Sequence, residues 1–204
     1  MITIVDYGMG NLGSILNMFK KIGVESKLSS NFNEIEEASK LILPGVGAFD
    51  NAMLKIKELG LKDLLDYKAL DEKIPILGIC LGMQLMTINS EEGSKAGFGW
   101  INAHTKKFNF NNISKLKIPH MGWNKTLISN NNPITYDLIE ESKFYFVHSY
   151  YVNVINEKDS ILKTTHGIEF DSAITNNLNI YGVQFHPEKS HKFGMKLFEN
   201  FAKI

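Results

Sequence analysis

Ile74-Pro-Ile-Leu-Gly-Ile-Cys-Leu-Gly-Met-Gln-Leu85 is the stretch that decides the fold. From Ile74 to Ile79 it is apolar and rich in β-branched residues, the pattern of a strand buried on both faces of a parallel sheet. The run then meets the single cysteine of the chain, Cys80, with Gly78 and Gly82 two residues to either side. That spacing belongs to a strand-to-helix elbow, a turn too crowded for neighbouring side chains, which lifts the central one into a cleft. A helix starting there offers free N–H groups to an anion and so favours a thiolate. The competing reading is a buried cysteine acting as a small hydrophobe. Both glycines and the strand–helix switch favour the nucleophile.

Around this stretch the composition sets limits. The chain has 204 residues, 44% of them hydrophobic, which suits one α/β domain spanning residues 1–204. Lys+Arg and Asp+Glu both number 22, so no basic field exists for nucleic acid or an anionic membrane, and no apolar run reaches spanning length. A lone cysteine forms no internal disulfide, and the amino terminus opens into a strand without signal-like features. A cytoplasmic protein is expected. The chain contains no arginine, so any anion contact must come from lysine, histidine or backbone.

Upstream of the elbow, strands and helices alternate. Ile2 to Asp6 reads as a strand, and Ile15, Leu16, Phe19 and Ile22 mark a helix that Gly23 ends. Between them Gly8, Gly10 and Gly13 spell a dinucleotide-binding fingerprint. That fingerprint also needs an acidic residue at the end of the next strand. The next strand, Val24 to Leu28, ends in Ser29-Ser30, which counts against a nicotinamide cofactor and favours a tight loop over the sheet edge. A short acidic helix is expected over 33–39. Lys40 to Leu43 reads as a strand ending in Pro44-Gly-Val-Gly47, which places bare amides at a ligand-binding edge and could form an oxyanion hole. Helices are expected at about 48–58 and 61–71, and after Cys80 to about Asn89. The alternation implies a parallel sheet with right-handed crossovers.

Downstream of Gly93 strand-like runs dominate: Ile101–Phe110, Trp123–Ile128, Phe144–Tyr151, Ile161–Thr165, Ser172–Thr175 and Ile180–Phe185. A last helix shows an apolar face of Phe193, Leu197, Phe198 and Phe201. Asn109–Asn112 and Asn130–Pro133 read as surface turns. The run Tyr181-Gly-Val-Gln-Phe-His-Pro-Glu-Lys-Ser190 places His186 and Glu188 two residues apart, on the same side of an extended backbone. A histidine near Cys80 could accept its proton, and a carboxylate beside it could hold the imidazole. A metal site built on His186, Glu188 and His191 lacks the usual ligand spacing. Lys189, His191 and Lys192 read as a surface salt-bridge cluster.

Leu-Gly-Ile-Cys-Leu-Gly-Met-Gln at 77–84, Pro-Gly-Val-Gly at 44–47 and His-Pro-Glu-Lys-Ser at 186–190 together resemble the class I, triad-type glutamine amidotransferases. Pro119-His-Met-Gly-Trp-Asn124 and Asp6-Tyr-Gly-Met-Gly-Asn-Leu12 are similar to one branch, the glutaminase subunits of imidazole glycerol phosphate synthase. The resemblance runs the whole length. It implies a flavodoxin-like, mostly parallel central sheet with helices on both faces, and no cofactor or metal. It implies glutamine as substrate, Cys80 as nucleophile, His186 as base and then acid, and Glu188 as the group that orients His186. Gly45, Val46, Gly47 and Leu81 then match the oxyanion-binding backbone, and Gln84 with His148, Ser149 and Tyr150 the grip on the amino-acid end. The implied partner is a (β/α)₈-barrel cyclase subunit that consumes the ammonia. Asn11, Met121, Trp123 and Tyr145 match its interface and passage, and the backbone at Val46 matches a strand held unproductive until the partner is loaded. His148, Met121, Trp123 and Tyr145 could equally be core residues. One departure is Gly97-Phe-Gly-Trp-Ile-Asn-Ala-His-Thr-Lys-Lys-Phe108, where the branch carries Gly-Leu-Gly-Leu-Ile-Pro-Gly. Paralogues that supply ammonia for sugar amidation in surface-polysaccharide synthesis are therefore an alternative.

Overall fold

A strand with no polar face must be covered on both sides, and Ile76–Ile79 is buried at every residue. In the computed structural model, which describes residues 1–110, 116–139 and 141–204, this strand lies inside an 11-stranded sheet. The chain runs β1 (Ile2–Val5), α1 (Leu12–Lys21), β2 (Ser26–Ser29), α2 (Phe32–Glu36), β3 (Leu41–Leu43), α3 (Phe49–Glu58), α4 (Lys62–Asp66), β4 (Ile76–Ile79) and α5 (Leu81–Leu85). It continues as β5 (Asn89–Ser90), β6 (Ala103–Lys107), β7 (His120–Lys125), β8 (Leu127–Ile128), β9 (Lys143–His148) and β10 (Tyr150–Val154). β11 (Ser160–His166), β12 (Ile168–Thr175), β13 (Ile180–Val183) and α6 (His191–Lys203) complete it.

The parallel heart of the sheet has the order β2-β1-β3-β4-β13, the flavodoxin-like arrangement. Successive side chains leave opposite faces. Leu41 and Leu43 of β3 with Ile76 of β4 therefore enter one core with Phe49 and Ile56 of α3 and Leu65 of α4. Ile42, Leu77 and Ile79 enter the other with Ile15 and Phe19 of α1 and Phe198 and Phe201 of α6. Phe19 meets Phe198 at 4.6 Å between ring centroids. Beyond β13 the sheet turns antiparallel through β12, β10 and β6, while β7 and β9 form a separate two-stranded sheet.

This topology gathers three loops at one edge. The turns after β3, β4 and β13 all leave the carboxyl ends of neighbouring parallel strands, where open α/β sheets bind their ligands. The glycine loop after β1 closes on the same edge. A side chain at Gly10 would lie 3.1 Å from Pro44 Cβ, so the loop packs on the turn after β3, and β2 ends at Ser29 with no acid for a ribose.

Several expected boundaries move. Trp123–Ile128 divides into β7 and β8, which belong to different sheets, and Phe144–Tyr151 divides at Ser149 into β9 and β10. An alternating pattern shows which residues face inward but not which strand lies alongside. The Ser149 break is held locally, because Phe108 N–H donates to the Ser149 carbonyl and His148 Nδ1 to the Tyr150 carbonyl. The helix after Cys80 stops at Leu85 rather than near Asn89. There Thr87 Oγ1 donates to the Gln84 carbonyl at 2.7 Å, and Ile88 N–H joins Ala103. The expected helix over 61–71 is α4 followed by a π-turn at Tyr67–Asp71, and the strand Ile101–Phe110 shortens to β6. Of the expected turn 109–112, Asn111 and Asn112 lie outside the described residues.

Candidate active site

Cys80 stands at the end of β4 with φ of +54° and ψ of −108°, a conformation that non-glycine residues rarely adopt. Its N–H donates to the Val183 carbonyl at 2.8 Å, which locks the elbow to β13. Crowding explains the two glycines. A Cβ at Gly82 would sit 1.8 Å from the Leu43 carbonyl oxygen, and one at Gly78 would sit 2.7 Å from the Gly82 oxygen. The nucleophile is thus raised by a backbone that has no room to relax.

β13 delivers the base. Pro187–Lys189 forms a short 3-10 turn just beyond the strand, and within it His186 Nδ1 meets Glu188 Oε1 at 2.9 Å. Both side chains are buried. The other ring nitrogen, Nε2, has no fully formed hydrogen bond, and the group it interacts with is Cys80. Burial alone lowers the His186 pKa, but Cys80 and then Glu188 outweigh it and push it up to about 10. Cys80 and Glu188 therefore both favour the protonated form of an imidazole that faces the sulfur. Cys80, His186 and Glu188 stand in the spatial order that a nucleophile, a base and an orienting carboxylate require.

In front of them opens a cavity of about 350 Å³, lined among others by Val46, Gly47, Leu81, Gln84, His148, Ser149 and Tyr150. Every substrate residue expected from the sequence lines it except Gly45, which lies just behind. A Cβ on Gly45 would touch the Tyr7 hydroxyl and the Gly82 nitrogen. Gln84 Nε2 donates to the Tyr150 carbonyl at 3.3 Å and to Gln184 Oε1 at 3.1 Å, which leaves its own carbonyl oxygen free for the cavity.

Sequence reasoning missed three residues here. Tyr7 is buried and its hydroxyl donates to the Pro44 carbonyl, pinning the first peptide of the 44–47 strand. Burial, and then the charge on Cys80, raises its pKa. Gln184 Nε2 points at Cys80 Sγ from 3.7 Å. Glu92 is the acidic residue among those lining the cavity, and its Oε2 accepts from Phe49 N–H at 3.0 Å. Asp50 returns the contact by accepting from the amides of Ser94 and Lys95, which keep its carboxyl below the usual range. Glu92 follows a helix that ends early, so no periodicity marked it. Gln184, inside the run Tyr181–Ser190, was the one detectable signal.

The model of the family described as glutamine amidotransferase class-I matches residues 3–204. The chain belongs to the class I glutamine amidotransferases. Among curated relatives of this amidotransferase, the imidazole glycerol phosphate synthase subunit HisH 2 of Methanococcus maripaludis is 57% identical over 100% of this chain and 99% of its own length. The HisH 2 of Pseudomonas aeruginosa is 45% identical with both chains fully covered. Among solved structures, one titled a glutamine amidotransferase superposes with a TM-score of 0.75 at 14% identity, covering 100% of each chain. The glutaminase domain of Trypanosoma brucei CTPS with bound acivicin superposes at 0.68 and 17% identity, covering 99% of this chain and 93% of its own. These two likenesses speak for the fold.

Behind the cavity wall of this amidotransferase runs a directional chain of hydrogen bonds. Asn124 Nδ2 donates to His120 Nε2 at 3.1 Å, His120 Nδ1 to His148 Nε2 at 2.9 Å, and His148 Nδ1 to the Tyr150 carbonyl at 2.7 Å. Burial lowers the His148 pKa to about 3 and that of His120 to about 4, His166 adding to the effect on both. Both imidazoles are neutral, as the chain of donors requires.

The interface candidates are not core. Met121 is 62% and Trp123 48% exposed on β7, and Tyr145 faces Trp123 from β9 with ring centroids 6.1 Å apart. Asn11 occupies the N-terminal flank of α1, makes no side-chain capping bond and does not join the cavity lining. The expected salt-bridge cluster is replaced by aromatic contacts. Lys189 Nζ lies over the Tyr145 ring, His191 stacks on Trp123, and Lys192 covers Phe193. Among the described residues no helix is long and apolar enough to cross a membrane.

Proposed function

We propose that residues 1–204 work as one cytoplasmic glutaminase domain. It releases ammonia from glutamine and passes it to a (β/α)₈-barrel cyclase subunit making imidazole glycerol phosphate and AICAR in histidine biosynthesis. The observation that carries the hydrolytic part is the Cys80 elbow facing a His186 that is buried and oriented by Glu188. The printed names of the relatives support the pathway.

In this reading Sγ attacks the side-chain amide carbon of glutamine after its proton has passed to His186 Nε2. The amide oxygen becomes an oxyanion, held by the N–H groups of Leu81 and of the Val46–Gly47 backbone. His186 returns the proton to nitrogen, the C–N bond breaks, and ammonia leaves a thioester on Cys80. Water then adds as His186 takes its proton, and collapse breaks the C–S bond to give glutamate and the thiol. At the other end of the substrate, the α-ammonium meets Glu92 and the Gln84 carbonyl oxygen, and the carboxylate meets backbone at Ser149 and Tyr150.

Glu92→Gln keeps an acceptor for Phe49 N–H but removes the charge. The KM for glutamine is expected to rise about tenfold to a hundredfold with kcat nearly constant, as loss of one charge-assisted bond implies. Steady-state kinetics check it, and an unchanged KM removes Glu92 from the site.

Ammonia is a base that water would protonate, so a docked barrel on the face holding Met121, Trp123 and Tyr145, with Asn11 nearby, makes chemical sense. Tyr7 anchors Pro44, so any resting-to-active change in the oxyanion strand falls on the Gly45–Val46 peptide, and Val46 lines the cavity at 43% exposure. The aromatic part of the departure, Phe98 and Trp100, lends the sugar-amidating alternative no support. Phe98 and Trp100 stack at 4.1 Å, and Trp100 Nε1 donates to Asp66 of α4, away from the cavity. The deciding experiment is purification of the tagged chain from its native cells. A barrel cyclase that co-purifies and makes imidazole glycerol phosphate from glutamine is expected. A barrel that amidates a sugar overturns the pathway, and absence of any glutamine hydrolysis overturns the reading itself.

A further inference from the structure

Ser190 is 0% exposed at the end of the turn that carries His186 and Glu188. Its Oγ donates to the His186 carbonyl at 2.6 Å and accepts from the Tyr145 N–H at 3.0 Å. The Tyr145 carbonyl accepts from the His186 N–H at 2.9 Å. Both backbone groups of Tyr145 are therefore engaged by the catalytic turn, on the edge of β9 opposite β7. The residues on either side of Ser190 hold the aromatic pair of that small sheet. Lys189 Nζ lies 5.6 Å from the Tyr145 ring centroid, and His191 stacks on Trp123 at 5.4 Å with the planes 6° apart. His191 does so from the left-handed region, φ +45°, and Gly194 lets α6 close on the turn, since a Cβ there would lie 1.8 Å from the Pro187 oxygen.

We propose that Ser190 is a positioning residue for His186, and that through it the exposed Tyr145–Trp123 face governs how the imidazole meets Cys80. The inference rests on the glutaminase reading above and deepens it. A donor and an acceptor on one residue fix a backbone in two directions, so a slide of β9 carries His186 with it. On its side-chain end the completed hydrogen bond of His186 is the one to Glu188, while Nε2, turned to Cys80, has none. The backbone clamp thus decides where Nε2 lies. Proton transfer falls steeply with sub-ångström misplacement. One short segment, 186–191, consequently serves the chemistry with His186 and Glu188 and reads the outer face with Lys189, Ser190 and His191.

The test uses the full chain with Ser190→Ala, Ser190→Thr, Trp123→Ala and the Ser190→Ala/Trp123→Ala double variant, measuring kcat and KM for glutamine, the pH profile and the melting temperature. Ser190→Ala is expected to lower kcat roughly tenfold to a hundredfold with KM within about twofold. The alkaline limb of the profile should move to lower pH, since a displaced His186 is held less firmly by Cys80 and Glu188. Ser190→Thr, which keeps the hydroxyl, should recover most of kcat. Trp123→Ala should alter kcat in the parent and have little further effect in the Ser190→Ala background. A Ser190→Ala chain with parental kcat overturns the proposal. So does a loss of activity that follows the melting temperature with the alkaline limb unmoved, and strictly additive effects overturn the link to Trp123. If the unaltered chain hydrolyses no glutamine even with a ligand-loaded barrel cyclase subunit docked on it, the glutaminase reading fails and this inference falls with it.

Discussion

Cys80→Ala abolishes glutamine-dependent synthesis, by about four orders of magnitude or more, yet spares synthesis from added ammonium salt when the barrel subunit is present. The size follows from the role. His186 and Glu188 act only by moving and holding a proton for Sγ, so without sulfur they have nothing to activate, and what remains is transition-state binding by backbone amides. The substitution is structurally mild. Alanine keeps the Cβ that the left-handed elbow already carries, and it removes the long contacts of Sγ with Gln184 Nε2 at 3.7 Å and the Val147 carbonyl at 4.0 Å together with its interaction with His186. Paired assays with glutamine and with ammonium chloride measure both activities. Equal loss of the two would mean that Cys80 supports assembly rather than chemistry.

Gly82→Ala is expected to have the largest effect on folding, destabilising the chain by more than about 4 kcal/mol, a size tied to backbone collision rather than to lost contacts. The new methyl would lie 1.8 Å from the Leu43 carbonyl oxygen and 2.9 Å from its carbon, both backbone atoms of a central strand. Relief requires either β3 or α5 to move, and α5 is tied to β4 through the elbow. Since a domain is stable by only about 5–15 kcal/mol, much of the population should unfold. Gly13→Ala in α1 serves as the control, because nothing lies within 4 Å of its Cβ position and its φ is ordinary. There the change should be within about 1 kcal/mol, in the stabilising direction that helix propensity gives. Urea titrations of both variants decide the matter. A Gly82→Ala chain close to the parent would show that the elbow is looser than its geometry.

The parallel heart of the sheet was legible because short-range rules govern it. An apolar run between turn signals forms a buried strand wherever it pairs, and Cys80, His186 and Glu188 each sit within a few residues of the strand end that positions them. The antiparallel half was harder. Trp123–Ile128 and Phe144–Tyr151 alternate correctly, but their partners are chosen by tertiary contacts, and Ser149 interrupts the second run with bonds to Phe108 and through His148. The site was legible where motifs are local, as at Pro44–Gly47 and Gln84, and illegible where a residue arrives from a loop. Glu92 enters the cavity because Asp50 and Phe49 draw its loop onto α3, a reciprocal contact across 40-odd positions that no local pattern records. Lys189 and His191 misled for a different reason. Charge and spacing suggested ion pairs, whereas the partners that fold beside them are the faces of Tyr145 and Trp123.

The Asn124–His120–His148 chain has a consequence for what leaves the cavity. An ordinary histidine beside the cavity would be an acid in wait, ready to turn released ammonia into ammonium and end its nucleophilicity. His148 and His120 gain a proton only near pH 3 and 4, and their N–H groups already point away along the chain toward Tyr150. His148, the member of the chain that lines the cavity, therefore presents a neutral ring with no acidic proton for the lone pair of ammonia.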